Sequence, residues 1–561
     1  MMTATVQNDS IIISSRGAEF IRACAVLSAA LGSKCRIGRG KVIVPLESAD
    51  FVLAKFPCIE CDDLIKYRES IAIHQKAVAD ANADFKALKV DRIPPYWLDI
   101  LDIPQQYAVN AITHPGLRGA CLFDEQGTGK TVMALSAFDI LNCMAIVDRA
   151  IVVSPKSMLG GWERDIRRFT NDKYSIGIVE GTSEQKRSVV DQCNNITIVN
   201  YEGIASVLVL LKASARLSRA MLIVDESYYA KNPATLRASL LAELRPLCCR
   251  CLVLCGTPAP RSAYDIISQV DLADNCYAFS GFSRGASEDD DRDRVSSILQ
   301  TRALAIRRLK QDVIADVPTK NFQIVRVPLT GRQDYMYKKA RDELIVELRS
   351  FDNKTFKKHL ASYFQKRTTL LEICAVPKMV DPLYAGKSAK LVKLIELVDS
   401  LAKENRKVVI WTCYRDSVTE IYEALERFSP LIIDGSITSG EMRAQAVDRF
   451  QTDPSVLVLI ANPAAAGAGI TLHASYDAIY YSYTNQAAHY LQSLDRIHRR
   501  GQKAKCVNYY MMICEGTIEE HEVRRLRQRE LSQHDLLGDI IEWPESLDVA
   551  LAELTSEGAL A

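Results

Sequence analysis

From about residue 91 onward, short apolar runs alternate with segments of helical spacing. Residues 120–123, 151–153, 196–199, 221–224 and 252–254 form uncharged runs of three or four residues. Runs that short and that apolar predict strands buried on both faces. Between them, stretches such as 132–141 place apolar residues at helical intervals. Strand–helix alternation of this kind predicts a parallel α/β sheet. The pattern returns near residue 386: 387–398 has helical spacing, and 407–413 and 456–460 read as buried strands. Between the two alternating regions, residues 330–380 are helix-rich and charged, with Lys338, Lys339, Lys357, Lys358, Lys366 and Arg367. Such cations are ordinarily solvated helix faces.

Residues 1–90 stand apart. Residues 20–31 predict an amphipathic helix. In 34–46 (KCRIGRGKVIVPL), basic residues surround two glycines and lead into alternating apolar positions. That pattern predicts a hairpin with a basic tip made by Lys34, Arg36, Arg39 and Lys41. A solvated turn and a contact to a nucleic-acid backbone both fit such a tip. Residues 66–90 read as a polar helical connector. At the other end, Thr517 with Glu520 three residues later predicts a helix start, continued by Arg524, Arg525, Arg527 and Arg529. From Glu530 to Ala561 there is no Lys or Arg and there are eight acidic residues. Both a packed amphipathic helix and a partner-binding end fit that tail.

Composition narrows this picture only in places. With 561 residues, a prior of ~150 residues per domain allows three to four domains. The net charge of +1 means that any nucleic-acid surface is a local patch rather than a global field. No apolar run approaches the ~18–20 residues of a membrane-spanning helix, and the start MMTATVQNDS lacks a secretory pattern, so an intracellular protein without a membrane partner is expected. Sixteen cysteines scattered through apolar runs predict reduced thiols. Cys58 and Cys61 make a CxxC without a second one at zinc-ribbon spacing, although Cys24 and Cys35 are available to join them. Cys248, Cys249, Cys251 and Cys255 read as small buried residues.

The chemistry concentrates at residues 124–131, DEQGTGKT, between a strand-like run and a helical one. Gly127 and Gly129 let backbone N–H groups of the loop, including that of Thr128, close on a phosphate, and the helix N-terminus adds partial positive charge. Lys130 can reach the β- and γ-phosphates, and the Thr131 hydroxyl can hold magnesium. ATP and magnesium are therefore the expected cofactors. One departure is visible, because Asp124 stands where the generic loop begins with glycine. Upstream, Gln105 or Gln106 can read an adenine edge with its amide. Further strand ends carry Lys156 and Ser157, and then Asn200, where open α/β sheets gather ligand groups and where backbone phosphates can be bound. Arg164, Arg167 and Arg168 follow on a helix. Residues 221–224 end in Asp225 and Glu226, the arrangement in which an aspartate holds magnesium and a glutamate activates water. Another strand-to-loop change gives Cys255-Gly256-Thr257-Pro258, where a hydroxyl and a tight turn can sense nucleotide.

Taken in order, DEQGTGKT, VVSPKSMLGGWERDIRRF, IVDESYYAKNPATLRASL, VLCGTPAP, IRRLKQDVIADVPTK and LQSLDRIHRRGQ resemble the Swi/Snf-type ATPases, helicase-like proteins of superfamily two in a compact form, over roughly residues 103–535. The resemblance implies an α/β fold with two tandem RecA-like lobes, helical insertions and a small α+β domain in front. It divides the chain into an accessory domain at 1–90, lobe one at 91–325, a helical protrusion at 326–385, lobe two at 386–535 and an acidic tail at 536–561. It implies ATP hydrolysis between the lobes, with Lys130, Asp225 and Glu226 from lobe one and Arg496 and Arg499 from lobe two, and with Gly469 and Gln492 near the nucleotide. Arginines three apart share one helical face, and a planar guanidinium suits phosphate oxygens. Duplex or branched DNA is the implied partner, with Lys156, Ser157 and Asn200 among its contacts, and a monomeric motor is expected. The first 90 residues resemble, by pattern and position, the substrate-recognition domains of fork-remodelling motors. Departures are Tyr228 for the usual His, Cys255 for Thr, and Asn462-Pro463 near the usual Ser-Thr. Three readings stand: a double-stranded-DNA translocase acting in repair, recombination or fork remodelling; a strand-separating helicase on DNA or RNA; and a non-catalytic nucleic-acid-binding scaffold.

Overall fold

The computed structural model describes residues 2–555 apart from 8–9, 33–34, 46–47, 57–61, 257, 259–263, 280–281, 283–284, 286–287, 314–317, 438–439, 467–469, 485–486, 500 and 533–546. Lys34, Cys58, Cys61, Thr257, Gly467, Gly469 and most of the acidic tail lie outside the described residues. The chain forms two compact units, Met1–Val313 and Ile314–Ala561. Among the described residues no helix is long and apolar enough to cross a membrane.

The first unit is built on a seven-stranded sheet in the order Ala305–Ile306, Gly119–Leu122, Arg250–Leu254, Ala220–Asp225, Arg149–Ser154, Ile196–Asn200, Ile176–Val179. Every neighbouring pair is parallel. The strands Gly119–Leu122, Ala220–Asp225 and Arg250–Leu254 are buried at every position, as expected for strands covered on both faces. The same burial takes in Cys121, Cys251 and Cys255. In front sits a four-stranded antiparallel sheet, Thr3–Gln7, Ser10–Ser14, Lys41–Pro45 and Arg36–Gly38. Ile11 pairs with Val44 and Ile13 with Val42, and these alternate residues join Ala23 and Leu27 of the helix Gly17–Leu31 in one core. The hairpin Arg36–Gly38/Lys41–Pro45 is present, with Arg36, Arg39 and Lys41 exposed at its tip.

The connector is not a linker. The helix Asp62–Lys86 contributes Leu64 and Ile71 to the small core and Ala77, Val78 and Ala81 to the core of the large sheet. This helix, which lies on the N-terminal side of the boundary expected at 90/91, is thus shared by both cores. Halfway along this helix His74 accepts from the Arg118 backbone N–H (Nδ1, 2.9 Å) and stacks edge-on to Tyr277. Burial, reinforced by Arg118, Arg245 and Arg250, pushes its pKa down from 6.5 to about 3. Between those values the unfolded chain binds a proton that the folded chain does not, so this residue's stabilisation is full above about pH 6.5 and is lost as pH falls toward 3. Thermal melts between pH 7 and pH 5 should show stability falling on acidification. In His74→Gln, which keeps an acceptor for the Arg118 N–H, the pH slope should be shallower by up to about 1.4 kcal/mol per pH unit.

The second unit carries a six-stranded parallel sheet in the order Thr319–Val327, Cys506–Cys514, Asp477–Tyr480, Val408–Trp411, Val458–Ala461, Leu431–Ile433. Thr319–Val327 pairs with Cys506–Cys514 in unbroken register over nine residues. Residues 319–325, expected at the end of lobe one, thus belong to the second unit, and the register of that long edge strand is the reason. The helix Ala389–Lys403 is capped by Ser388 accepting from Leu391 N–H. Lys390 on this helix is fully buried and donates to Tyr481 O and to Glu519 Oε1.

The protruding helices Gly331–Arg349 and Leu360–Ala375 share a core with Cys514, Ile518 and Leu554. Leu554 lies on the helix Leu547–Thr555, so this part of the tail is a packed amphipathic helix. Of the protrusion cations, Lys338 and Lys366 pair with Asp334 and Glu347, and Arg367 is buried against Glu522. The helix expected from Thr517 begins at Glu519, with Thr517 Oγ1 accepting from Glu519 N–H and Glu520 accepting from Gly516 N–H.

Candidate active site

The strand Gly119–Leu122 runs into the glycine loop, and the helix Lys130–Cys143 leaves it. Gly127 and Gly129 adopt φ of 85° and 86°, the left-handed region that glycine enters without penalty. A Cβ on Gly129 would also lie 2.3 Å from Gln105 Nε2. Lys130 is 9% exposed, and its ammonium donates to the carbonyls of Asp124 (2.9 Å) and Glu125 (3.2 Å). Thr128 Oγ1 donates to Glu125 O at 2.9 Å.

Asp124, the departure from the generic loop, is buried against Arg308, whose Nε and Nη2 both donate to its carboxylate. Arg307 donates to Phe123 O and Gly256 O, and Glu125 accepts from Lys310 N–H at 2.8 Å. A bidentate ion pair in place of a glycine makes this loop a strapped one. Gln105 and Gln106 both serve the backbone. Gln105 Nε2 donates to Thr128 O at 2.8 Å while its Oε1 accepts from Asp102 N–H, and Gln106 Nε2 donates to Leu98 O and Leu101 O. Of the two, Gln105 is the one that touches the glycine loop.

Asp225 ends the next strand but one of the same sheet, with Arg250–Leu254 between. Its Oδ2 accepts from Trp162 Nε1 (2.8 Å) and Ser154 Oγ (3.2 Å), and its Oδ1 from Glu226 N–H (3.0 Å). Burial and the Glu226 charge push its carboxyl up to about 7, against a downward pull from Trp162, Lys130 and Ser154. Glu226 has φ 51° and ψ 52°, and the Tyr201 hydroxyl donates to the carbonyls of Asp225 (2.7 Å) and Glu226 (3.3 Å) at this bend. Ser227 Oγ donates to Gln269 Oε1 at 2.5 Å, and Gln269 Nε2 donates to Pro258 O at 2.5 Å. The strand tip and the loop after Cys255 are therefore linked. Tyr228 stacks on Tyr229 at 4.4 Å.

The hard oxygens of Thr131 and Asp225 are the donor type that magnesium prefers. A buried carboxyl raised by a second carboxylate is also a place where an added cation is favourable. The residues fit the ion.

Lys156 and Ser157 are exposed on the 3-10 turn after Arg149–Ser154. Arg167 on the following helix pairs with Glu163 and Asp172. Asn200 Nδ2 donates to Glu202 Oε2 at the end of its strand.

In the second unit the helix Ala487–Leu494 stops before both arginines. Arg496 and Arg499 lie on the turns that follow, where Arg496 N–H reaches back to Ser493 O and Gln502 N–H to Arg499 O. They lie on turns beyond the helix end rather than on the helix itself. Their guanidiniums nevertheless converge on one acceptor, Ile470 O, at 3.0 and 3.1 Å. Arg496 is 2% exposed and also donates to Gln492 O. Arg499 is half-buried and donates to Thr471 Oγ1. Gln492 is buried beside them.

A family profile described as the SNF2-related domain matches residues 75–379, and the helicase conserved C-terminal domain matches residues 387–501. The ISWI chromatin-remodeling complex ATPase ISW1 of Saccharomyces cerevisiae is 26% identical over 444 residues, 74% of this chain and 38% of that protein. The putative ATP-dependent helicase/translocase YwqA of Bacillus subtilis is 26% identical, over 72% of this chain and 45% of its own. The DNA repair and recombination protein RAD54B of Gallus gallus is 23% identical, over 76% and 52% respectively. The chain thus spans about half or less of these relatives. A solved Sulfolobus solfataricus SWI2/SNF2 ATPase core in complex with dsDNA is 21% identical over 83% of this chain and 97% of that one, with a TM-score of 0.34.

Proposed function

The chain belongs to the SNF2-related family of helicase-like ATPases, and from that premise we propose that it hydrolyses ATP to translocate along double-stranded DNA, remodelling DNA or DNA–protein complexes. The observation that carries this reading is electrostatic as well as geometric. The loop that leads to Lys130 follows one strand of the sheet in which another strand ends at Asp225, and the lysine's charge acts on the Asp225 carboxyl. In the proposed reaction Lys130 and the loop N–H groups bind the β- and γ-phosphates, and Glu226 takes the proton of the attacking water. Thr131 and Asp225 would hold magnesium, which would supply neutralisation of phosphate charge. Arg496 and Arg499 are the residues by which the second lobe contributes to phosphoryl transfer, and Gln492 and Gly469 are assigned to the nucleotide site with them.

Contact with the DNA backbone is assigned to Lys156, Ser157 and Asn200, and to the hairpin of residues 1–90. The exposed Arg36, Arg39 and Lys41 support the latter, since none has an acidic partner among the described residues. Replacing these three with alanine should weaken duplex binding uniformly across sequences. The slope of log affinity against log salt should fall by up to about 0.9 for each phosphate that the variant no longer neutralises, as measured by titrations at several salt concentrations.

The deciding experiment is ATPase activity with and without duplex DNA, coupled to strand assays. Duplex-stimulated turnover that displaces a triplex strand without unwinding the duplex supports translocation. Unwinding of a plain duplex would favour the strand-separating reading, and absence of turnover the scaffold.

A further inference from the structure

Gln126, the third residue of DEQGTGKT, makes a contact across 100 positions of sequence: its Nε2 donates to Glu226 Oε1 at 2.8 Å. The other carboxylate oxygen, Oε2, is buried with no hydrogen-bond partner among the described residues. Gln126 is itself 7% exposed. Its side chain lies against Gly256, where a Cβ would come within 2.7 Å of both Cγ and Nε2. The backbone of Glu226 is fixed separately, by the Tyr201 hydroxyl and by the Ser227–Gln269 contact. A carboxylate on a fixed backbone still has its side-chain torsions free. One donor on one oxygen, with no partner on the other among the described residues, removes that freedom and decides which oxygen is available.

We propose that Gln126 is a positioning residue for hydrolysis: its amide holds Glu226 so that Oε2 faces the attacking water, and its packing on Gly256 ties that orientation to the loop after Cys255. The inference rests on Glu226 being the base. In the step it serves, the water oxygen bonds to the γ-phosphorus and the bridging P–O bond breaks. The electron pair leaves on ADP, and the water's proton passes to Oε2. An acceptor held in place before the reaction avoids reorganisation at the moment of transfer.

The test compares full-length wild type, Gln126→Met, Gln126→Glu, Glu226→Gln and the double variant Gln126→Met/Glu226→Gln in single-turnover hydrolysis with duplex DNA. Gln126→Met keeps the length and removes the donor. Its rate should fall about ten- to a hundred-fold, a part of the ~10²–10⁴ that a general base supplies, while the KM for ATP and the melting temperature hold. Gln126→Glu, which sets a second carboxylate against Glu226, should fall at least as far. In the Glu226→Gln background, Gln126→Met should cost nothing further. Wild-type rates in Gln126→Met, or an equal loss in both backgrounds, would overturn the positioning role. Wild-type turnover in Glu226→Gln alone would instead remove the base assignment, and the inference with it.

Discussion

Lys130→Ala is expected to lower ATP turnover by about two to three orders of magnitude, the cost seen when one preorganised charge-stabilising donor is removed from a phosphoryl or acyl site. The structure gives the reason for so large an effect. The ammonium is nearly enclosed and held by two carbonyls of the loop it follows, Asp124 O and Glu125 O. Its position is set by the helix start at Gly129 and by the strap from Arg307, Arg308 and Lys310. A donor placed this way needs little reorganisation to meet a phosphate oxygen. The loss should persist at saturating ATP, since charge on the transferred phosphoryl grows in the transition state. The loop itself should survive, because Gln105 still donates to Thr128 O and Thr128 to Glu125 O. Melting curves should therefore shift far less than turnover. Turnover in Lys130→Ala equal to wild type would end the hydrolase reading.

The core of this site was legible because its residues sit at chain positions where backbone direction changes: the glycine loop, the Asp225–Glu226 strand tip, and the ends of buried strands. Apolar runs bounded by such residues leave few alternatives, and both parallel sheets follow from them. What was not legible depended on partners distant in sequence. Nothing local says that Asp124 meets Arg308, that Gln126 meets Glu226, or that Trp162 and Ser154 share the Asp225 carboxylate. Gln105 had the right type and place, but its amide is bound to the loop carbonyl. The helix Asp62–Lys86 misled for a different reason. Its fully buried contribution to the large core is Ala77, Val78 and Ala81, small residues that barely stand out from the polar ones around them. The strand Thr319–Val327 alternates exposed and half-buried positions over most of its length. Only its register with Cys506–Cys514 reveals which sheet it edges.

Arg499→Ala should reduce turnover by about 10³-fold or more, the effect of removing an arginine that stabilises transferring phosphoryl charge, with ATP binding largely kept. Arg499 is the more informative of the two arginines. Arg496 is buried and spends its Nε and Nη1 on Gln492 O and Ile470 O, so Arg496→Ala should lower the melting temperature as well as turnover. Arg499 is half-buried, and its Nη1 is held by Ile470 O and Thr471 Oγ1. Those two acceptors orient the guanidinium without enclosing it. Arg499→Lys should not restore turnover, since an ammonium is a single point of charge and cannot reproduce the planar donor fork of a guanidinium. The measurement is single-turnover hydrolysis at saturating ATP, set beside binding of a non-hydrolysable analogue and a thermal melt. Loss of turnover with binding and melting temperature preserved assigns Arg499 to the transition state. Loss of all three together makes it a structural residue of the second lobe. Wild-type turnover in Arg499→Ala would leave the second lobe without a chemical role through this residue, and the motor reading would lose the contribution that makes two lobes necessary.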